Sequence, residues 1–329
     1  MKTFKWGILG TSFISEVMAN AITQNNDGNV VAVAGRSQAP LRQFAEKHCV
    51  PHVYLDYQSV IDNPEVDIVY IALPNHLHVE WVIKAANAGK AVLCEKSLSI
   101  DVASANRAIG VVRESNVFFA EGLMYLHHPL IAKLHEVIKQ STLGKLKSIQ
   151  GSYCAAISAF TNPAGKGVLF NLGCYPMSLA ISALSAAGVD TSNIELLNAI
   201  GRKGDDDNIV ETTGVFSTAQ GHNITLHCAE DYGLRASFAL LFEQGYIEFE
   251  TNPWLPTHNN VINVSVYEQT PQRIEVGALG DGFDYQVEHV HQALNTSCYE
   301  FAAPLPTYEH SLSVMKQLED WASQMRIIQ

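Results

Sequence analysis

The feature that most restricts what this chain can fold into is an alternation, over its first 123 residues, of short apolar runs with longer helical stretches. "FKWGIL" precedes a helix expected from Ser12 to about Gln24, and "NVVAVAG" precedes one from about Ala39 to His48. "VDIVYIAL" precedes one from His76 to Ala88, "AVLCE" one from about Asp101 to Ser115, and "VFFAEG" follows. Strands separated by helices of this length are joined by crossovers, which make neighbouring strands parallel. The near-continuous apolarity of "DIVYIAL" fits a strand covered on both faces.

From Gly144 to about Val276 the pattern changes to longer alternating strands, among them "LKSIQGSYCAAIS", "ETTGVFS", "HNITLHCAE", "ASFALLF" and "YIEFET". Successive strands without helices between them predict an antiparallel sheet. Helices are expected at about Gly173 to Ala186, Phe283 to Asn295 and Tyr308 to Met325. A chain of 329 residues exceeds the size at which single cores stop growing. The expected architecture is therefore α/β: a doubly wound parallel-sheet domain over 1–123, then an α+β domain over 124–329 with a large open, mostly antiparallel sheet.

A formal charge of -12 would repel a polyanion, and no Lys/Arg cluster is present, so nucleic acid is not an expected partner. No uninterrupted apolar run reaches ~18 residues, and "MKTFKWGILG" lacks the apolar core of a signal peptide, so no membrane partner and a cytoplasmic location are expected. The six cysteines are widely spaced, without a C-x-x-C pair, and read as buried free thiols. The pairs His76/His78, His127/His128 and His289/His291 match no ligand pattern, so no metal is expected. "GDDDN" (Gly204 to Asn208) reads as a solvated hairpin turn.

The first strand runs into "GTSFIS", Gly10 to Ser15, where a G-x-G-x-x-G dinucleotide turn would stand with Ser12 and Ser15 in place of two glycines. The three glycines of such a turn serve different ends, namely a tight turn, close approach of backbone to pyrophosphate, and packing of helix on strand. Gly10 keeps the first. Ser12 crowds the approach slightly but adds a hydrogen-bond donor, and Ser15 is small enough to pack. Thr11, Phe13 and Ile14 complete a turn that aims a helix N-terminus at an anion. An ordinary strand-to-helix turn reads equally well from these residues alone; its position after the first strand of the alternating series decides for a nucleotide.

The end of the second strand selects the cofactor. It reads "VAVAGRSQ", with Arg36 and Ser37 where a NAD site would place an acid for the ribose 2′-hydroxyl. A guanidinium forks onto a 2′-phosphate, so NADP is expected over NAD, although the turn itself accommodates either. The plain alternative is a solvated surface arginine.

"ALPNHLH" (Ala72 to His78), "CEKS" (Cys94 to Ser97) and "GVLFNLGCYP" (Gly167 to Pro176) complete a pattern that resembles the glucose-fructose oxidoreductase and inositol dehydrogenase (Gfo/Idh/MocA) family. The likeness covers the first domain and enters the second, and is greatest to the branch of dihydrodiol dehydrogenase and NADP-dependent xylose dehydrogenase. It implies a Rossmann domain joined to a substrate domain whose open sheet forms a homodimer contact. It implies that Leu73, Pro74, Asn75 and His78 approach the cofactor, that Glu95 and Lys96 lie beside the nicotinamide, and that Tyr175 is the acid/base. Ser97 stands where the family usually has Pro, Asn171 where it has Asp, and Tyr125-Leu126 where the branch has Trp-Arg.

Lys96 follows a parallel strand and so falls at the end where ligands bind in open α/β sheets; its plain alternative is an ion pair with a carboxylate such as Glu95. Tyr175 falls near an expected helix start, where the helix N-terminus and an ammonium would both favour phenolate; its alternative is a half-buried aromatic at a domain junction. The expected reaction is hydride transfer between NADP and a hydroxyl or carbonyl of a sugar, polyol or cyclic diol. Tyr175 assisted by Lys96 moves the proton, and Asn171 holds the same hydroxyl. His127 and His128 are expected to be packed or solvated. Two other readings compete: a non-catalytic NAD(P)-sensing protein of the same fold, and a glycosidase using held NAD. Retention of Lys96 and Tyr175 favours the redox enzyme, since a sensor needs neither.

Overall fold

The computed structural model describes residues 3–140 and 142–328. The alternating region forms β1 (Phe4–Leu9), α1 (Phe13–Gln24), β2 (Gly28–Ala34), α2 (Gln38–Lys47), β3 (His52–Tyr54), α3 (Gln58–Asp62), β4 (Ile68–Ile71), α4 (Asn75–Asn87), β5 (Ala91–Glu95), α5 (Val102–Ser115) and β6 (Phe119–Gly122). Then come α6 (Pro129–Gln140), β7 (Leu146–Ala155), α7 (Cys174–Ala186), β8 (Ile194–Lys203), β9 (Ile209–Thr218), β10 (Asn223–Ala229) and β11 (Leu234–Phe242). The chain continues with β12 (Gly245–Phe249), β13 (Asn259–Val266), β14 (Gln272–Gly277), α8 (Gly282–Asn295), α9 (Tyr308–Ser323) and β15 (Arg326–Ile327).

Two compact units result. One takes the chain up to Met124 together with Phe283–Tyr308; the other takes Tyr125–Gly282 and the segment from Glu309 onward. The segment of α8, expected in the second domain, thus belongs to the first unit. Its reason is chemical: His291 on α8 stacks on Phe4 at 4.8 Å, accepts the Trp6 indole N–H at 3.0 Å and meets Asn25 Oδ1 at 3.1 Å. Val287, Val290 and Phe301 join the same buried cluster as Trp6, Ile8 and Leu93. Burying each such side chain contributes roughly 1.5–3 kcal/mol, and no local pattern reveals which sheet a distant helix will cover.

The first unit carries a six-stranded parallel sheet of order β3-β2-β1-β4-β5-β6. Strand order reverses between β1 and β4, so a crevice opens outside their carboxyl ends. Local signals set the helices: Asp101 caps α5 by accepting from Ser104 N–H at 2.7 Å, and Asn116 ends it in a left-handed conformation with φ 51°. β3 and α3, with three and five residues, are too short to leave a periodic signal in the sequence.

In the second unit a nine-stranded sheet has the order β14-β13-β12-β11-β7-β10-β9-β8-β15, antiparallel except at β7/β10 and β8/β15. β9 alternates buried and half-buried residues along its whole length, as a strand with one covered face must. α7 lies against β7, β10 and α6. The stretch Leu169–Ala186 is long and apolar enough to cross a membrane by composition, but 83% of it is buried inside the protein, which accounts for its apolarity. "GDDDN" forms the β8–β9 turn, closed by Gly204 N–H donating to Asn208 O at 2.9 Å. All six thiols are free, but Cys49 and Cys298 are exposed, against the expectation of burial.

Burial lowers the His291 pKa from 6.5 to about 4, so the folded protein keeps this ring neutral where the unfolded chain would protonate it. Stability supplied by the neutral ring is complete above pH 6.5 and declines as pH falls toward 4, by about 2 kcal/mol at pH 5. Urea titrations of the wild type and His291→Gln at pH 7 and pH 5 should show the smaller acid loss in the variant. Equal losses would contradict this assignment.

Candidate active site

The loops after β1, β2, β4 and β5 are knit together at one edge of the parallel sheet. Gly10 has φ +104°, and a Cβ there would lie 2.5 Å from the Ala72 carbonyl oxygen and 3.4 Å from Leu73. A side chain is excluded, so the first turn lies directly on the end of β4. A Cβ on Gly35 would meet Thr11 at 3.1 Å, which places the second loop against the first. His78 completes the chain of contacts: its Nδ1 lies 2.8 Å from Ser97 O and its Nε2 2.7 Å from Leu73 O.

His78 is fully buried, and burial lowers its pKa to about 4 although both carbonyls favour the charged ring. The neutral imidazole has one N–H to donate, so it serves one carbonyl at a time. Its place is behind the loops that carry Pro74 and Ser97, not on their surface. The family resemblance implied that it approaches the cofactor; in the structure it brackets the two loops that carry Pro74 and Ser97.

The serine-substituted turn has its own internal chemistry. Ser12 caps α1, and its amide donates to Ser15 Oγ at 3.1 Å; the two hydroxyl oxygens lie 3.2 Å apart. Ser15 is fully buried, while Ser12 and Phe13 are exposed, Phe13 to 82%. Thr11 and Ile14 are half-buried. The buried Ser15 hydroxyl thus takes up the Ser12 amide, and the Ser12 hydroxyl lies against the same group.

Arg36 and Ser37 are exposed at the end of β2, and among the described residues Arg36 makes no ion pair. Ser37 begins α2 without bonding its own helix amides, and the first turn of α2 contains no acid. This corner carries a positive charge and the N-terminus of α2, whose first turn holds no acidic residue.

Glu95 points inward. Its Oε1 accepts from Tyr70 O–H at 2.7 Å and its Oε2 from the Lys96 amide at 3.3 Å, and burial raises its pKa while the Lys96 charge pulls it down. Glu121 holds the following loop by accepting from Leu98 N–H at 2.8 Å. Lys96, whose peptide bond to Ser97 is cis, Pro74 and Asn75 are half-buried.

In the second unit Tyr175 is 8% exposed in a nest of aromatic rings. Tyr153 meets it edge-on at 5.4 Å, Tyr125 lies at 6.0 Å, and Trp254 stacks on Tyr153 at 4.8 Å. Tyr125 O–H and Ser178 Oγ lie 2.7 Å apart, and Ser178 Oγ–H donates to the Tyr175 carbonyl at 3.0 Å. Burial pushes the Tyr153 phenol up to about 12, so it stays protonated. Sequence reasoning misses Tyr153 and Trp254 because aromatic residues in strands and loops read as ordinary core.

One expectation about Tyr175 is corrected. A π-helical turn, Leu169–Gly173, runs directly into α7, so Tyr175 does not sit at a bare helix N-terminus. The amides of Phe170 and Asn171 already donate to Gly167 O, at 3.2 and 3.1 Å. The helix dipole therefore gives the phenol little help. Asn171 lies within the π turn and donates from Nδ2 to Glu230 Oε2 at 2.8 Å. Glu230, buried and unsuspected from the sequence, supplies a carboxylate next to the position where the family resemblance leads one to expect Asp. His128 is packed, its Nδ1 accepting from Leu130 N–H at 3.1 Å.

Residues 4–123 match an oxidoreductase family with an NAD-binding Rossmann fold, Gfo/Idh/MocA. Over 97% of its length the chain is 29% identical to an oxidoreductase of Rhizobium meliloti, covering 96% of that protein. It is 27% identical over 88% of its length to trans-1,2-dihydrobenzene-1,2-diol dehydrogenase of Xenopus laevis, covering 89% of it. A 3-ketoreductase from Actinomadura kijaniata, crystallised with NADP and TDP-benzene, shares the fold with a TM-score of 0.89 at 23% identity, over 99% of both chains.

Gly10→Ala forces a side chain into a left-handed backbone against a carbonyl oxygen. It should lower stability by about 2 kcal/mol or more and weaken dinucleotide binding, read by thermal unfolding and by cofactor titration. A variant as stable as the wild type would mean that the turn does not lie on β4 as described.

Proposed function

We propose that this chain, whose residues 4–123 match the Gfo/Idh/MocA oxidoreductase family and which resembles oxidoreductases over nearly its whole length, is an NADP-dependent enzyme moving hydride between nicotinamide and a hydroxyl or carbonyl of a sugar, polyol or cyclic diol. The observation that carries the cofactor assignment is the corner at the end of β2. Arg36 is exposed and unengaged by an ion pair among the described residues, Ser37 is free of capping duty, and no acid stands in the first turn of α2. A 2′-phosphate would bring the charge this corner lacks; a bare ribose would leave the guanidinium with nothing to bind. Gly10, Ser12 and the start of α1 would hold the pyrophosphate, with Pro74, Asn75 and Lys96 at the nicotinamide end.

Bound nicotinamide supplies the hydride chemistry. Tyr175 takes the proton of the substrate hydroxyl as the carbon-bound hydrogen departs, leaving a carbonyl, and returns it in reduction. An anionic phenolate among aromatic rings needs a counter-charge. The family resemblance implies that the Lys96 ammonium supplies it. Asn171, four residues before Tyr175 in the same helical run, positions substrate.

Two variants separate cofactor recognition from chemistry. Arg36→Ala should weaken NADP binding by about tenfold or more, the worth of a charge-assisted contact, and leave NAD binding nearly unchanged. Tyr175→Phe should reduce turnover by at least about 100-fold with the NADP dissociation constant nearly intact. Tight NADP binding by the wild type without turnover on a panel of aldoses, polyols and dihydrodiols would favour the sensing role instead.

A further inference from the structure

Among the described residues of the second unit, the three most exposed large apolar side chains lie at one end of its sheet: Phe160, Leu234 and Leu279, at 88%, 89% and 95%. β11 runs antiparallel to β7 and β12, β13 antiparallel to β12 and β14, and β10 parallel to β7. β7, β10, β12 and β14 therefore end where β11 and β13 begin. Leu234 opens β11 opposite Ala155, and Phe160 lies on the loop that leaves β7 and leads into the π turn before Tyr175. Leu279 follows β14, and the exposed Leu255 lies between β12 and β13. Single apolar residues scattered over a surface are ordinary. Phe160, Leu234 and Leu255 are not scattered, because each is tied by the chain or by hydrogen bonds to the aromatic nest of Tyr153, Trp254 and Tyr175.

Residues two apart on a strand share a face, so Leu234 continues the face of Ala236, which pairs with Tyr153, and of the buried Phe238. Ala156 N–H donates to Gly233 O at 3.1 Å, and Phe160 N–H donates to Ile157 O at 2.8 Å, which keeps the turn of Phe160 close to Leu234. Leu255 directly follows Trp254, whose ring stacks on Tyr153. From this arrangement we infer that Phe160, Leu234 and Leu255 form an apolar subsite for an uncharged alkyl or aryl substituent that the substrate carries outside its reacting carbinol. The inference rests on the oxidoreductase reading above. Continuity names the occupant: a molecule whose hydroxyl reaches Tyr175 extends over side chains that begin where the nest ends. Free sugars and short diols leave those side chains in water, whereas an attached chain withdraws them. Selectivity then comes from apolar area, which is non-directional and grows with each methylene.

The test is steady-state kinetics with NADP on two pairs of compounds that differ by three methylenes: butyl against methyl β-glucoside, and hexane-1,2-diol against propane-1,2-diol. Each methylene withdrawn from water is worth about threefold, so kcat/KM should favour the longer member of whichever pair is turned over by about 30-fold, mainly through KM. Phe160→Ser combined with Leu234→Ser, both at exposed positions, should cut that ratio to about threefold. Each single change should remove part of it, and Phe160→Leu should keep most of it. Thermal unfolding checks that the variants are folded. A merely structural role would lower both members of a pair alike and leave their ratio at the wild-type value. Equal kcat/KM for the two members in the wild type, or the full preference in the double variant, would overturn this inference while the redox reading stood. Binding of NADP with no turnover of any of these compounds would overturn both.

Discussion

Gly10 lies so close to the Ala72 carbonyl that no side chain fits between them, and the rest of the nucleotide unit is arranged around that contact. With the first turn seated on the end of β4, α1 points its N-terminus along the crevice where strand order reverses. Thr11 then meets the second loop at Gly35, and Leu73 is held from behind by His78, which also reaches Ser97. Each contact uses backbone or a buried ring, so the loops are set by the packed interior. That leaves Ser12, Arg36 and Ser37 exposed on the outer side of the same loops.

The second unit follows a different electrostatic plan. Apolar rings surround Tyr175, and the helix that carries it starts earlier than its capping pattern suggests. Polar order is concentrated instead in two short links, Tyr125 to Ser178 and Asn171 to Glu230. The first ties α7 to the segment entering the unit. The second joins the Asn171 amide to a buried carboxylate. The family Asp is thus not simply lost at Asn171: a carboxylate stands one hydrogen bond away, on a different strand end.

Some of this was legible in the chain. "DIVYIAL" and "AVLCE" read as buried parallel strands because they are, and the serine turn was recognisable because it follows the first strand. Arg36 and Ser37 could be placed at a strand end from the run before them. The second sheet was readable as antiparallel from alternation alone, although its parallel β7/β10 pair was not, since register between strands far apart in sequence leaves no local trace.

The sequence by itself determined the alternation of strands and helices, the place of the phosphate turn and the identity of the residues at the strand ends, because these depend on periodicity and on neighbours within a few positions. Only the tertiary structure decided that α8 covers the first sheet, that His78 is a bracket behind the loops, that Tyr175 lacks a bare helix end, and that Glu230 meets Asn171. Those outcomes depend on burial and on hydrogen bonds between residues tens or hundreds of positions apart, as with His291 and Trp6. Such partners are chosen by where the chain packs, which short-range pattern does not encode.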